Sequence, residues 1–156
     1  MPLTKAAFLE ARHFMKVDVE REIALARVNN KGQLKVPGLP AGGGNFLVAL
    51  GLLCYTEFAG SLLTTGSGAG KRFNAFFDEL GPRYKAFRKQ HNVYGDLRCG
   101  LAHEYFVKKK SCTINMLRGH SPIGIAHTGN HYTFNVEAYW HDFERALDRL
   151  HASLFP

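Results

Sequence analysis

What this sequence lacks narrows it first. Cysteine is scarce: Cys54, Cys99 and Cys112 are an odd count with no framework spacing. That excludes a disulfide-built secreted scaffold and points to a reducing, cytoplasmic compartment. Acidic residues are outnumbered, 13 against 20 Lys and Arg, for a formal charge of +7. The excess suits a polyanionic partner, nucleic acid above all, as well as a merely basic surface. The opening "MPLTKAAFLEARHF" has no unbroken apolar run and carries acids, so no secretory signal is expected there. Long apolar runs are absent but for "FLVALGLLCYTEFAGSLL", residues 46–63, which Glu57, Gly51 and Gly60 interrupt. A membrane span needs about 20 such residues with few charges, so the stretch reads as the central helix of a bundle and no membrane partner is expected. Neither an internal repeat nor a compositional break divides the 156 residues, and one domain is expected over 1–156.

Residues 4–28 have helical spacing, with Thr4 as N-cap, Phe8, Phe14, Val19, Ile23 and Ala26 loosely periodic, and Asp18 placed to restart the helix after a kink. Gly, Pro and Asn make 29–44 a loop, and Asn45 can cap the central helix. A second glycine-rich connection, 64–71, leads to a helix at "RFNAFFDEL", another near "YKAFRKQ", and a helix over 93–106. The period then changes. "SCTINML", 111–117, alternates as a strand, and "IGIAHTGNHYTFNV" reads as a hairpin about Gly129-Asn130. That pairing puts Ile123, Ile125, His127, Tyr132, Phe134 and Val136 on one face, and Ala126, Thr128, His131, Thr133 and Asn135 on the other. A last helix, 137–153, buries Tyr139, Phe143, Ala146, Leu147, Leu150 and Leu154. The expected fold is mainly α, a helical bundle with a small antiparallel sheet (hairpin plus one strand) before its last helix.

Several stretches imitate functional sites. "TGSGAGKR" departs from a phosphate-binding loop: Thr65 holds the first glycine position, Arg72 replaces the magnesium-binding hydroxyl, and a helix precedes it. It reads as an inter-helix connection whose Lys71 and Arg72 can touch phosphate. His127 and His131 fall on opposite hairpin faces. Cys99 and His103, four apart, lack a third and fourth metal ligand at recognisable spacing. No metal or other cofactor is expected, and His13, His91, His120, His141 and His151 read as solvated. Glu57 is costly on an apolar helix: either it faces the rim or it meets a cation, with Arg98 the natural candidate.

The segment "VYGDLRCGLAHEYF" sets Arg98 and His103 five apart. Leu97, Leu101 and Tyr105 direct its apolar face inward. On a regular helix five residues turn about 140°, so the pair acts on one phosphate only if the arginine swings round or a second subunit completes the site. Arginine grips phosphate bidentately and stabilises developing charge, while histidine moves protons near neutrality. With those groups a ribose 2′-hydroxyl can attack its adjacent phosphorus without metal.

"YGDLRCGLAHEYF" resembles the R-x4-6-H signature of the HEPN (higher eukaryotes and prokaryotes nucleotide-binding) superfamily. The pattern "CYTEFAGSLLTTG…KRFNAFFDEL…YKAF" before it is similar to small HEPN-like proteins, over roughly residues 46–107. The resemblance implies a helical bundle acting as a homodimer on RNA or a nucleotide, with Arg98 and His103 matching the catalytic pair of a metal-independent endoribonuclease. Glu57 would orient Arg98, while Lys71, Arg72, Lys108, Lys109 and Lys110 would attract RNA. Many active members carry a polar residue after the arginine, where this chain has Cys99, and some members bind without cutting. The readings left open are an endoribonuclease, a non-catalytic nucleotide- or partner-binding module, and a toxin restrained by a protein antitoxin.

Overall fold

The computed structural model describes residues 3–30, 45–65, 68–104, 111–119 and 122–156. Helix α1 spans Lys5–Asn30, α2 Phe46–Leu63, α3 Ala69–Glu79 and α4 Pro82–Gln90. A π-helical turn, Tyr94–Cys99, runs into the short α5, Gly100–His103. Strands β1 (Ser111–Asn115), β2 (Ile125–Thr128) and β3 (His131–Asn135) then precede α6, Val136–Leu154. The architecture is mainly α, with a small sheet before the last helix, as the periodicities indicate.

Caps set several boundaries. The Thr4 hydroxyl accepts the Ala7 N–H at 3.2 Å, and the Asn45 carboxamide accepts that of Val48, also at 3.2 Å. Asn135 caps α6 through the Ala138 N–H at 3.0 Å. The helix does not restart at Asp18. Helix α1 continues through it, and the carboxylate instead pairs with Arg21 at 3.8 Å and accepts the Tyr55 hydroxyl at 3.4 Å. Its inward stripe is Phe8, Met15, Val19 and Ile23; Phe14, expected inside, is 60% exposed because Met15 takes the matching turn.

Helix α2 packs one face into the core and leaves Leu47, Phe58 and Leu63 exposed, so it is less enclosed than the central helix expected. Eighteen residues of mean hydropathy 1.8 make it long and apolar enough to cross a membrane. Here Ala49, Leu52, Leu53, Thr56, Ala59 and Gly60 are buried in the core that it shares with α1, α3 and α6. The Thr56 hydroxyl donates to the Leu52 carbonyl at 2.8 Å and lies 2.7 Å from the Tyr139 hydroxyl. That bond answers two polar groups inside an aromatic core of Phe73, Phe76, Phe77, Tyr84, Tyr139, Trp140 and Phe143. The Tyr84 hydroxyl donates to Asp142 at 2.6 Å and accepts the Gly124 N–H at 2.8 Å, tying α4 to α6 and to the approach to β2. Leu154 was expected inside and is 37% exposed at the frayed last turn of α6.

The hairpin forms about Gly129-Asn130, where Gly129 takes φ +60, a left-handed value that glycine adopts without strain. Its register pairs Ile125 with Phe134 and His127 with Tyr132, so those four share a face, and His131 lies on the other. The third strand differs from expectation. β1 joins the far side of β3 in parallel, making a mixed sheet of order β1-β3-β2. His91 and His151 are not solvated either. His91 packs on Phe87 and His127 with ring centroids 4.5 and 4.4 Å away, and His151 packs on Phe8 at 5.5 Å. Their apolar neighbours capture the rings because an imidazole has a largely apolar body. His13 and His141 are exposed, and His120 lies outside the described residues.

Candidate phosphate-binding site

Three of the sequence-selected residues meet at one place. Arg98, in the π-turn, sets an Nη2 atom 2.8 Å from Glu57 Oε2, which realises the contact expected between them. Arg72, in the first turn of α3, brings an Nη2 atom within 3.4 Å of the other carboxylate oxygen. One carboxylate thus lies between two guanidiniums, leaving a net positive cluster.

A close helix crossing makes this possible. Gly60 of α2 faces the backbone of α3 so tightly that a Cβ there would stand 1.7 Å from the Arg72 carbonyl oxygen. With no side chain at 60, α3 settles against α2 and its first turn delivers Arg72 to Glu57, one turn earlier on α2. Two cations, Lys71 and Arg72, begin α3 with no acid in that turn, an arrangement its helix dipole disfavours. Glu57 offsets it for Arg72; Lys71 remains exposed beside the cluster.

Cys54, Phe58 and Ser61 join the three charged side chains in lining an open cavity of about 350 Å³. They sit at i−3, i+1 and i+4 from Glu57 on α2. That small or aromatic stripe beside a charge was the available signal for a recess, and the sequence reading missed it. Under Arg98 lies the Tyr94 ring, whose centroid is 5.8 Å from the guanidinium carbon and which packs on Phe73 at 5.6 Å. Burial, the largest influence, would alone make Arg98 easier to deprotonate, but the Glu57 carboxylate, with Cys54, Tyr94 and Cys99 adding to it, holds the guanidinium more firmly charged than usual. Burial raises the pKa of the Cys54 thiol, against the pull of Arg98, so it is a neutral wall of the cavity rather than a nucleophile. Arg98 Nε is buried with no hydrogen-bond acceptor among the described residues, so the guanidinium keeps a donor unspent.

His103 does not line this cavity. It is exposed at the end of α5. The segment is not the regular helix expected over 93–106, because a π-turn closes i→i+5 and widens the coil. That turn ends at Cys99, however, so most of the path from Arg98 to His103 is ordinary α-helix and the two side chains still diverge. Cys99 is part-buried, and its bond with the Tyr94 hydroxyl helps to raise the pKa of that phenol, after burial. Leu97 and Leu101 are buried as expected, while Tyr105, Lys108, Lys109 and Lys110 lie outside the described residues. Among the described residues no three of His, Cys, Asp and Glu gather as a metal site.

What the cluster can do chemically is hold an anion. Two guanidiniums line a recess large enough for a phosphate with part of its ester. No protein-family model matches the chain, and no curated protein or solved structure does either.

Proposed function

We propose that this chain is a HEPN-like RNA-binding protein. Arg98 and Arg72 hold a backbone phosphate at the α2–α3 cavity, and His103 transfers protons in a metal-independent cleavage. One observation carries the reading: two guanidiniums from separate elements converge on a single carboxylate at the edge of an open recess. Glu57 aims both guanidiniums and helps to keep that of Arg98 charged. An incoming phosphate shares the two guanidiniums with that carboxylate.

Within one copy His103 points elsewhere, so the imidazole that serves Arg98 comes from a second copy across a two-fold axis. There it takes the proton of a ribose 2′-hydroxyl as the oxygen attacks phosphorus. The bond from phosphorus to the 5′-oxygen breaks, that oxygen takes a proton from water as the imidazolium returns its own to solvent, and the ends are a 2′,3′-cyclic phosphate and a 5′-hydroxyl. Mixed RNA incubated in EDTA with the parent and with His103→Ala tests this. Cyclic-phosphate ends from the parent and none from the variant are expected.

Binding without cleavage is the second reading, favoured because His103 does not line the cavity that Arg98 enters. It predicts intact RNA with both proteins, and binding that Arg98→Ala abolishes. Either way affinity falls steeply with salt, as phosphate contacts require.

A further inference from the structure

A second recess, of about 330 Å³, opens at the C-terminal end of α4, where Asn74 of α3 faces Arg88, Lys89, Gln90, His91 and Asn92. Its polar groups are unevenly committed. Arg88 is spent on Asp78, with Nε and Nη2 at 2.6 and 2.7 Å from the two carboxylate oxygens. Asn92 Oδ1 accepts the Gly95 N–H at 3.1 Å, which leaves its amide N–H groups. The carboxamides of Asn74 and Gln90 make no hydrogen bond among the described residues, and Lys89 is exposed and without an ion pair among them. Three amide side chains therefore turn toward one small space with donors and acceptors to offer.

Electrostatics says which ligand suits them. The carbonyl end of α4 points here, and a helix C-terminus carries partial negative charge. Beside those carbonyls a neutral group that donates hydrogen bonds is favoured, while Arg88 is already paired with Asp78. Lys89, on the outside, is where an anion is welcome. The volume lies at the small end of ligand sites, right for a flat heterocycle rather than an extended molecule. The part-buried His91 ring, packed on Phe87 at 4.5 Å and His127 at 4.4 Å, makes one firm wall of the recess. Carboxamides pair in bidentate fashion with adenine, accepting from its amino group and donating to N7.

We propose that this recess binds an unpaired adenine base of RNA, held by Asn74, Gln90 and Asn92, with its neighbouring phosphate on Lys89. The proposal deepens the RNA reading and rests on it. It supplies a base preference that Arg98 and Arg72, which touch only phosphate, cannot provide.

Anisotropy titrations with labelled A12 and U12 oligoribonucleotides test it, using the parent, Asn74→Leu, Gln90→Leu and Arg98→Ala. The parent should favour A12 by about tenfold. Asn74→Leu should erase that preference and leave U12 affinity unchanged, whereas Arg98→Ala should weaken both oligomers alike. Gln90 is exposed, so Gln90→Leu keeps the fold and repeats the test if Asn74→Leu does not. Equal affinities in the parent, or a preference that survives both leucine variants, overturn the proposal. If neither oligomer binds, the RNA reading fails by itself, and free adenosine decides the recess by NMR. Side-chain amide signals of Asn74 and Gln90 that move with adenosine and not with uridine support it; unmoved signals refute it.

Discussion

Gly60→Ala is the sharpest perturbation available. The added Cβ would meet the Arg72 carbonyl oxygen at 1.7 Å, its carbon at 2.5 Å and the Arg72 Cα at 3.2 Å, all backbone atoms with no rotamer to yield. Relief requires α3 to retreat by roughly 1.5 Å, which loosens the packing of Phe73, Phe76 and Phe77, all fully buried. Overpacking against an unyielding wall costs about 3 kcal/mol, while the helical preference of Ala over Gly returns about 1. The net loss of about 2 kcal/mol corresponds to a Tm lower by roughly 4–8 °C for a domain of this size. Gly51 lies on the same helix with nothing within 4 Å of its hypothetical Cβ, so Gly51→Ala gains only the propensity, and Tm rises by roughly 2–4 °C. Thermal and urea unfolding of the three proteins measure both. A Gly60→Ala protein as stable as the parent, or two variants shifting in the same direction, would refute the close crossing and with it the placement of Arg72 beside Glu57.

Glu57→Gln removes the charge between the guanidiniums, and stability should fall by about 1–3 kcal/mol, since two part-buried cations then repel across the cavity. Added sulfate should raise the melting temperature of that variant more than that of the parent, and equal sulfate responses would count against an anion site. Cys112 titrates with the opposite sense to a paired carboxylate. Burial pushes its thiol up from 9.0 to about 11, so the folded state favours the protonated form. The stabilisation is complete below pH 9.0 and is lost as the pH rises toward 11, on the order of 2 kcal/mol. Urea midpoints between pH 8 and 11 should fall more for the parent than for Cys112→Ala, and parallel curves would show that the thiol is not buried.

The helices and the hairpin were legible because each is written locally. Thr4 and Asn45 announce starts, α6 repeats its apolar residues at three and four, and Gly129-Asn130 turns only one way, whereas Asn135, the cap of α6, reads in the sequence as hairpin alone. Side-chain partnerships across helices were partly legible. A lone acid on an apolar helix needs a cation, which led to Arg98, but only the absence of a side chain at Gly60 admits Arg72, and a glycine's tertiary neighbour is not readable from its own helix. The π-turn is one inserted residue over six, too short to disturb a periodicity. Strand alternation predicts which face β1 buries and is silent on its direction, so its parallel union with β3 was not foreseen. The five-residue spacing, by contrast, did indicate that His103 would turn away from Arg98, and it stands apart from the cavity.

The first and last helices are neighbours: Arg12 reaches Asp148 at 2.7 Å, Lys16 reaches Glu144 at 3.8 Å, and Phe8 packs on Phe155 at 5.8 Å. During synthesis, then, α1 leaves the ribosome with its inward stripe uncovered, and part of its cover arrives only when the final segment emerges. Such wide sequence separation slows closure, and Phe8 and Met15 lack part of their cover until it occurs.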